Sequence, residues 1–281
     1  EMKWKPLQGK KEVETTLEGW LGTLTSPQWN QLQYLSLALD NSSISTWGVS
    51  YCLKQMPHLQ SLKMERHVPG QWDDGTLSIP DLTELRQLYV GISGLGAHQF
   101  KMGKLPSLAR LTVCCTASKQ PSRWLENVGK MTALVSVKWF NMPFTDMVKV
   151  TEYLPPQLEH LSLSMQHTES PLEHWNGPHS TTLWSNLTRL TTLSTLDVSP
   201  GVFILASDRS SIVIPVWFIK WMASSQLSSI PPLLTYQPHL AEVLVEVLPA
   251  MPALRSGSVA MRNGDWLAPI FQLCSQLTHL N

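Results

Sequence analysis

Charge is scarce in this chain. Lys, Arg, Asp and Glu make up 15% of the 281 residues, against a usual share of about 25%. The 21 basic residues balance 21 acidic ones, so no net field draws the chain toward nucleic acid or an anionic membrane. Neither is expected as a partner. Cysteine is also sparse: Cys52, Cys114, Cys115 and Cys274 form no CxxC pair and no regular framework. That pattern argues against a disulfide-stapled domain and points to a reducing, cytoplasmic compartment. Asn41-Ser42-Ser43 and Asn186-Leu187-Thr188 match the glycosylation tripeptide, but such triplets arise readily in a chain rich in Ser and Thr. Long hydrophobic runs are missing. The longest, from Ile212 to Ala223, is broken by Pro215 and Lys220 and falls well short of the ~20 residues of a membrane span.

Catalytic signatures are missing as well. The sequence contains no GxSxG, no GxxxxGK[ST] and no HExxH. His167, His174 and His179 share a stretch with Glu169 and Glu173, but zinc ligands need tighter and more regular spacing, so this reads as a solvated loop. The one phosphate-loop echo is Gly91-Ile92-Ser93-Gly94-Leu95-Gly96 after a strand-like Arg86 to Val90. A dinucleotide site would need a helix to follow. Only eleven residues separate Gly96 from Leu108, and Pro106 interrupts them. An NAD(P)-dependent enzyme using this turn is the weakest alternative. The expectation is a protein that is not an enzyme, with no cofactor and no metal.

What the chain does have is hydrophobic residues, 43% of the total, and twelve Trp. Its length is near the upper limit for one compact core and suits two domains or one elongated repeat equally. A short frame recurs: Leu, two residues, an apolar residue, one residue, another apolar residue. It appears as Leu32-Leu35-Leu37, Leu59-Leu62-Met64, Leu85-Leu88-Val90 and Leu108-Leu111-Val113. Leu134-Val137-Trp139, Leu158-Leu161-Leu163 and Leu193-Leu196-Val198 continue it, and Leu254-Gly257-Val259 and Leu277-Leu280 are later, degenerate copies. The first six copies start 27, 26, 23, 26 and 24 residues apart. A Pro stands two residues before the first Leu at Pro57, Pro106, Pro156 and Pro252. A Trp lies nine to twelve residues upstream of it at Trp20, Trp47, Trp124, Trp184 and Trp266.

Apolar residues two apart share one side of a strand, so each copy predicts a short strand with one buried face. The predicted strands are 34–38, 61–65, 87–91, 110–114, 136–140, 160–164 and 195–199. Such a strand cannot bury its face alone, whereas stacked copies form a continuous parallel sheet. Between strands, Thr46 to Met56, Arg123 to Met131 and Thr145 to Leu154 carry apolar residues at three- and four-residue spacing and predict helices. The upstream Trp residues, Trp20, Trp47, Trp124 and Trp266 among them, are expected to pack inward from these segments.

The frame resembles the leucine-rich-repeat family, whose unit has the form LxxLxLxxN/CxL. The resemblance covers about residues 12–198 and 238–281. The Asn/Cys position is filled here by Asp40, His67, Ser93, Thr116, Met142 and Gln166, so the subtype is divergent. It implies an α/β solenoid with a curved parallel sheet on the concave face and helices and irregular turns on the convex face. Its helical segments look like intracellular subtypes. The expected organisation is a lead-in or end of a preceding repeat over 1–11, then one repeat domain over 12–281. Insertions are expected near 166–183 and 200–236, with a strand–turn–strand over Val202 to Ile219. Because it opens at Glu1 and stops in mid-pattern at Asn281, the chain is expected to be an excerpt of a longer protein.

The function this implies is a scaffold or recognition module for protein partners within a larger complex. More specific versions are the substrate-recognition region of an F-box ubiquitin ligase and the sensor region of a cytosolic immune receptor. The binding residues should be those alternating with the apolar frame: Tyr34, Lys63, Glu65, Tyr89, Arg110, Lys138, Phe140, His160 and Asp197. Tyr and Arg are frequent interface anchors.

Overall fold

The computed structural model describes residues 2–3, 29–38, 46–66, 76–93, 100–116, 125–165, 177–199, 214–229, 247, 250–251, 253, 256–257 and 279–280. The chain divides into two compact units, Glu1–Leu134 and Val135–Asn281.

In the first unit five strands pair side by side, all parallel. In order they are β1 (Met2–Lys3), β2 (Tyr34–Ala38), β3 (Ser61–Arg66), then β5 (Gln87–Ser93) and β7 (Arg110–Thr116). The short β4 (Leu77–Ile79) and β6 (Phe100–Met102) pair only with each other. In the second unit β8 (Ser136–Met142), β9 (His160–Met165) and β10 (Thr195–Ser199) are again parallel neighbours. Every strand expected from the frame between 34 and 199 is present. Met2 pairs with Leu35, so pairing begins ahead of residue 12.

The frame dictates the register. Leu35, Leu62, Leu88 and Leu111 stand opposite one another, as do Leu37, Met64, Val90 and Val113. In the second unit Val137, Leu161 and Leu196 align, followed by Trp139, Leu163 and Val198. All are buried. A slip of one residue would turn each set to solvent, so the alternation fixes the pairing.

The leading Leu of each copy closes a three-residue turn, with Leu59 N–H donating to Met56 O, Leu108 to Leu105 O and Leu158 to Pro155 O. Pro57, Pro106 and Pro156 occupy the second position of these turns, where a fixed φ near −65° is favourable and no N–H is needed. One carbonyl then accepts the first two amides of the next copy. Gln33 O receives Gln60 and Ser61 N–H, Gln60 O receives Arg86 and Gln87, and Arg86 O receives Ala109 and Arg110. Val135 O and Glu159 O repeat the arrangement in the second unit. Ser228 N–H continues it onto Ser194 O at 2.7 Å, and Leu227 is fully buried. A copy therefore starts at Leu227, inside the stretch that the frame had left blank.

The second layer differs between the units. In the first it consists of α1 (Thr46–Lys54), β4, β6 and the single turn α2 (Leu125–Val128). Leu-Ser-Ile and Phe-Lys-Met alternate with period two, bury their outer residues, and lie eight and six residues ahead of Leu85 and Leu108. The segments cross-link through Ser50 Oγ, which accepts from Ser78 N–H, and Asn127 Nδ2, which donates to Met102 O. Gly103 lies so close to the preceding copy that a Cβ there would fall 2.7 Å from the Asp81 nitrogen and the Pro80 carbonyl carbon.

In the second unit the layer is helical: α3 (Phe144–Tyr153), α4 (Pro178–Thr188) and α5 (Val216–Ala223). Phe144, Met147, Val148 and Thr151 form the inward stripe of α3. Asn186 of α4 donates to Val148 O and Thr151 Oγ1, and Arg189 reaches the carbonyls of Thr151 and Glu152, satisfying the C-terminal end of α3. Trp184 packs on Phe218, their ring centroids 4.6 Å apart. Each stands nine residues ahead of its leading Leu, Leu193 and Leu227.

Three expectations need correction. Trp47 is not core: it is 66% exposed. The inward side of α1 is Thr46, Val49, Ser50 and Leu53, and the 3.6-residue period turns Trp47 and Tyr51 outward. Trp20, Trp124 and Trp266 lie outside the described residues. The stretch Val202 to Ile219 does not end in a strand: Val216–Ala223 is a helix behind Pro215, with Phe218, Ile219 and Met222 buried. Residues 200–213 lie outside the described residues. Finally, 178–183 is no interruption of the repeat, because α4 begins at Pro178 and buries Leu183.

The degenerate copies pair as the frame requires. β11 (Ser256–Gly257) and β12 (His279–Leu280) are parallel, with Gly257 opposite Leu280.

Candidate partner-binding surfaces

The residues alternating with the buried frame face away from the core in both units. In the first unit Tyr34, Ser61, Gln87 and Arg110 form one transverse row, and Ser36, Lys63, Tyr89 and Thr112 form the next. Ala38, Glu65, Gly91 and Cys114 follow. Adjacent strands stand about 4.8 Å apart, so each row is a ladder of close neighbours.

Tyr89 is the centre of this face. Its ring lies along its own strand over Gly91, where a Cβ would come within 2.7 Å of Cε1. Only a residue without a side chain lets the ring lie there without shifting. The Tyr89 hydroxyl donates to the Glu65 carboxylate. Lys63 Nζ sits 2.9 Å from Glu65 Oε2 and 5.4 Å from the Tyr89 ring centroid. Desolvation by burial pushes the Tyr89 phenol above its ordinary value of 10.0, and the neighbouring Glu65 and Cys114 add to the shift. Tyr34 projects freely, 52% exposed.

The outward face of the second unit is more neutral. His160 Nδ1 is 2.8 Å from Thr195 Oγ1, and Ser162 Oγ donates to Asp197 Oδ2. Lys138 is exposed opposite Ser162. Phe140 is half-buried just ahead of a bulge at Asn141, whose φ of 58° is left-handed. That extra residue restores the inward phase, so Met142, at the Asn/Cys position of the frame, is buried.

Thus Tyr34, Lys63, Glu65, Tyr89 and Arg110 share one face, and Lys138, Phe140, His160 and Asp197 share another. The sequence frame missed three features. Arg86 is exposed one residue ahead of β5 and one residue before the alternation starts. Trp47 and Tyr51 stack on the outer side of α1, centroids 5.3 Å apart. Val216 and Trp217 are exposed on α5. The helical spacing of 47 and 51 was the available signal for the second of these.

The Gly91–Gly96 turn starts within a strand, since β5 runs to Ser93, and the next described element is β6, another strand. His167 and His174 lie outside the described residues, and His179 is exposed on α4. Among the described residues no group of three His, Cys, Asp or Glu could hold a metal ion, and no described helix is long and apolar enough to cross a membrane.

No protein-family model and no curated protein sequence matches the chain. Among solved structures it is similar to one described as "Crystal structure of TLR13-ssRNA13 complex", at 17% identity and a TM-score of 0.40. The match covers 94% of this chain and 33% of that one, so the chain spans about a third of that structure's length.

Proposed function

We propose that the chain is a non-catalytic recognition module, a leucine-rich-repeat solenoid that binds protein partners as part of a larger cytoplasmic assembly. The observation that carries this reading is the transverse alignment of outward residues. One residue per copy enters each row, so the surface can vary without touching the buried frame. The first unit uses that freedom for an aromatic and charged cluster that the core does not require. Tyr89 is half-buried and pinned by Glu65, Lys63 and Gly91, so little conformational entropy is lost when a partner covers it.

Affinity capture with the intact chain, followed by quantitative mass spectrometry, tests the reading. A partner retained by the wild type should be lost from the double variant Tyr89→Ala/Arg110→Ala, whose melting temperature stays near that of the wild type. The same partner should survive Trp47→Ala/Tyr51→Ala. Loss only with the α1 variant would move recognition to the second layer and refute the sheet-face assignment.

A further inference from the structure

The charges on the first unit's sheet face do not cancel locally. Glu65 is engaged by both Lys63 and the Tyr89 hydroxyl. Glu84, near the leading end of β5, is held by His58 at 2.7 Å. That leaves Arg86 and Arg110. Both are exposed, and neither has an ion pair or a side-chain hydrogen bond among the described residues. They also belong together, because the Arg110 amide donates to the Arg86 carbonyl at 3.0 Å. Arg110 ends the transverse row that begins at exposed Tyr34, and Tyr89 stands in the adjoining row.

We infer that this face binds an acidic, extended segment of a protein partner, with carboxylate side chains on Arg86 and Arg110 and an apolar side chain against Tyr34. The inference rests on the sheet-face reading proposed above. Guanidinium groups form two parallel hydrogen bonds to a carboxylate, and two unpaired ones within a single backbone step suit a pair of acidic side chains. Three strand steps separate Tyr34 from Arg110, roughly 14 Å, which an extended peptide crosses in about four or five residues. A nucleic-acid backbone fits less well. It gains affinity by neutralising many phosphates at once. Beyond the two arginines, Lys63 is spent on Glu65, whose carboxylate would face the polyanion.

A phage-displayed library of random dodecapeptides selected on the intact chain tests this directly. Enriched peptides should carry paired Asp or Glu residues with an aromatic or aliphatic residue four or five positions away. Their capture should fall about tenfold with Arg86→Gln/Arg110→Gln, a loss on the scale of an interface anchor. It should fall less with Tyr34→Ala, and both variants should keep the wild-type melting temperature. Neutral or basic peptides, no enrichment, or acidic peptides indifferent to the arginine variant would overturn the inference. So would retention of a random single-stranded RNA pool that the arginine variant releases, since the occupant would then be nucleic acid. Non-acidic peptides lost with Tyr89→Ala would sink only the acidic specificity. Peptides of any kind lost only with Trp47→Ala/Tyr51→Ala would sink the sheet-face reading itself.

Discussion

The two units solve the inner face of the sheet identically and the layer beneath it differently. In both, aligned Leu, Met, Val and Trp side chains are buried at the same steps of the frame. The second layer of the first unit is largely two short strands, while that of the second is three helices tied by Trp184, Phe218, Asn186 and Arg189. The repeat frame thus fixes one layer only. The other follows local periodicity, two in Leu77–Ile79 and Phe100–Met102, and three to four in Phe144–Tyr153.

Two tryptophans offer the largest contrast. Trp184→Ala removes a ring that is 2% exposed and should cost about 3–5 kcal/mol. Trp47→Ala removes one that is 66% exposed and should change stability by about 0.5 kcal/mol or less. Urea unfolding followed on both variants decides it, and equal losses would show that the inward stripe of α1 is misassigned.

Glycines give the next contrast. Gly103→Ala meets backbone atoms at 2.7 Å and should cost about 1–3 kcal/mol, because the chain itself must shift. Gly91→Ala meets only the Tyr89 ring, which can rotate away, so its cost should be about 1 kcal/mol or less. A Gly91→Ala variant as unstable as Gly103→Ala would mean that the ring is locked more firmly than its three partners suggest.

The smallest effect is a titration. Tyr89 binds its proton more tightly in the folded state than in the unfolded one, where the phenol has its ordinary pKa. That contribution to stability is fully present below pH 10 and is lost as pH rises through the raised folded value. Difference absorbance between wild type and Tyr89→Phe should show the Tyr89 phenolate forming above the ordinary range. Glu65→Gln should bring it part of the way back. A midpoint unmoved by Glu65→Gln would leave burial as the whole cause.

The parallel strands, their register and the outward rows were legible because period two and the leading Leu are local signals repeated many times. Trp47 was misread because sharing an upstream interval with Trp184 does not imply sharing a helix face. They lie twelve and nine residues ahead of their leading Leu, and that offset of three rotates a side chain by about 300°. The copy at Leu227 escaped because Pro231 and Pro232 follow Ile230 where the frame asks for a strand, and only the Ser228 to Ser194 hydrogen bond reveals it. The Tyr89 cluster and the Arg86–Arg110 pairing depend on side chains from different copies, which no single copy encodes.

The doubly accepting carbonyls also say where the chain tolerates new length. Leading leucines are spaced from 23 residues, Leu85 to Leu108, to 35, Leu158 to Leu193, yet Arg86 O and Glu159 O receive their two amides in the same way. Extra residues enter between a strand's end and the next turn, where doubling a flexible loop costs only about 0.6 kcal/mol. Those stretches are natural grafting points: a foreign epitope or an affinity tag inserted there would leave the ladder of carbonyls, and every row built on it, in place.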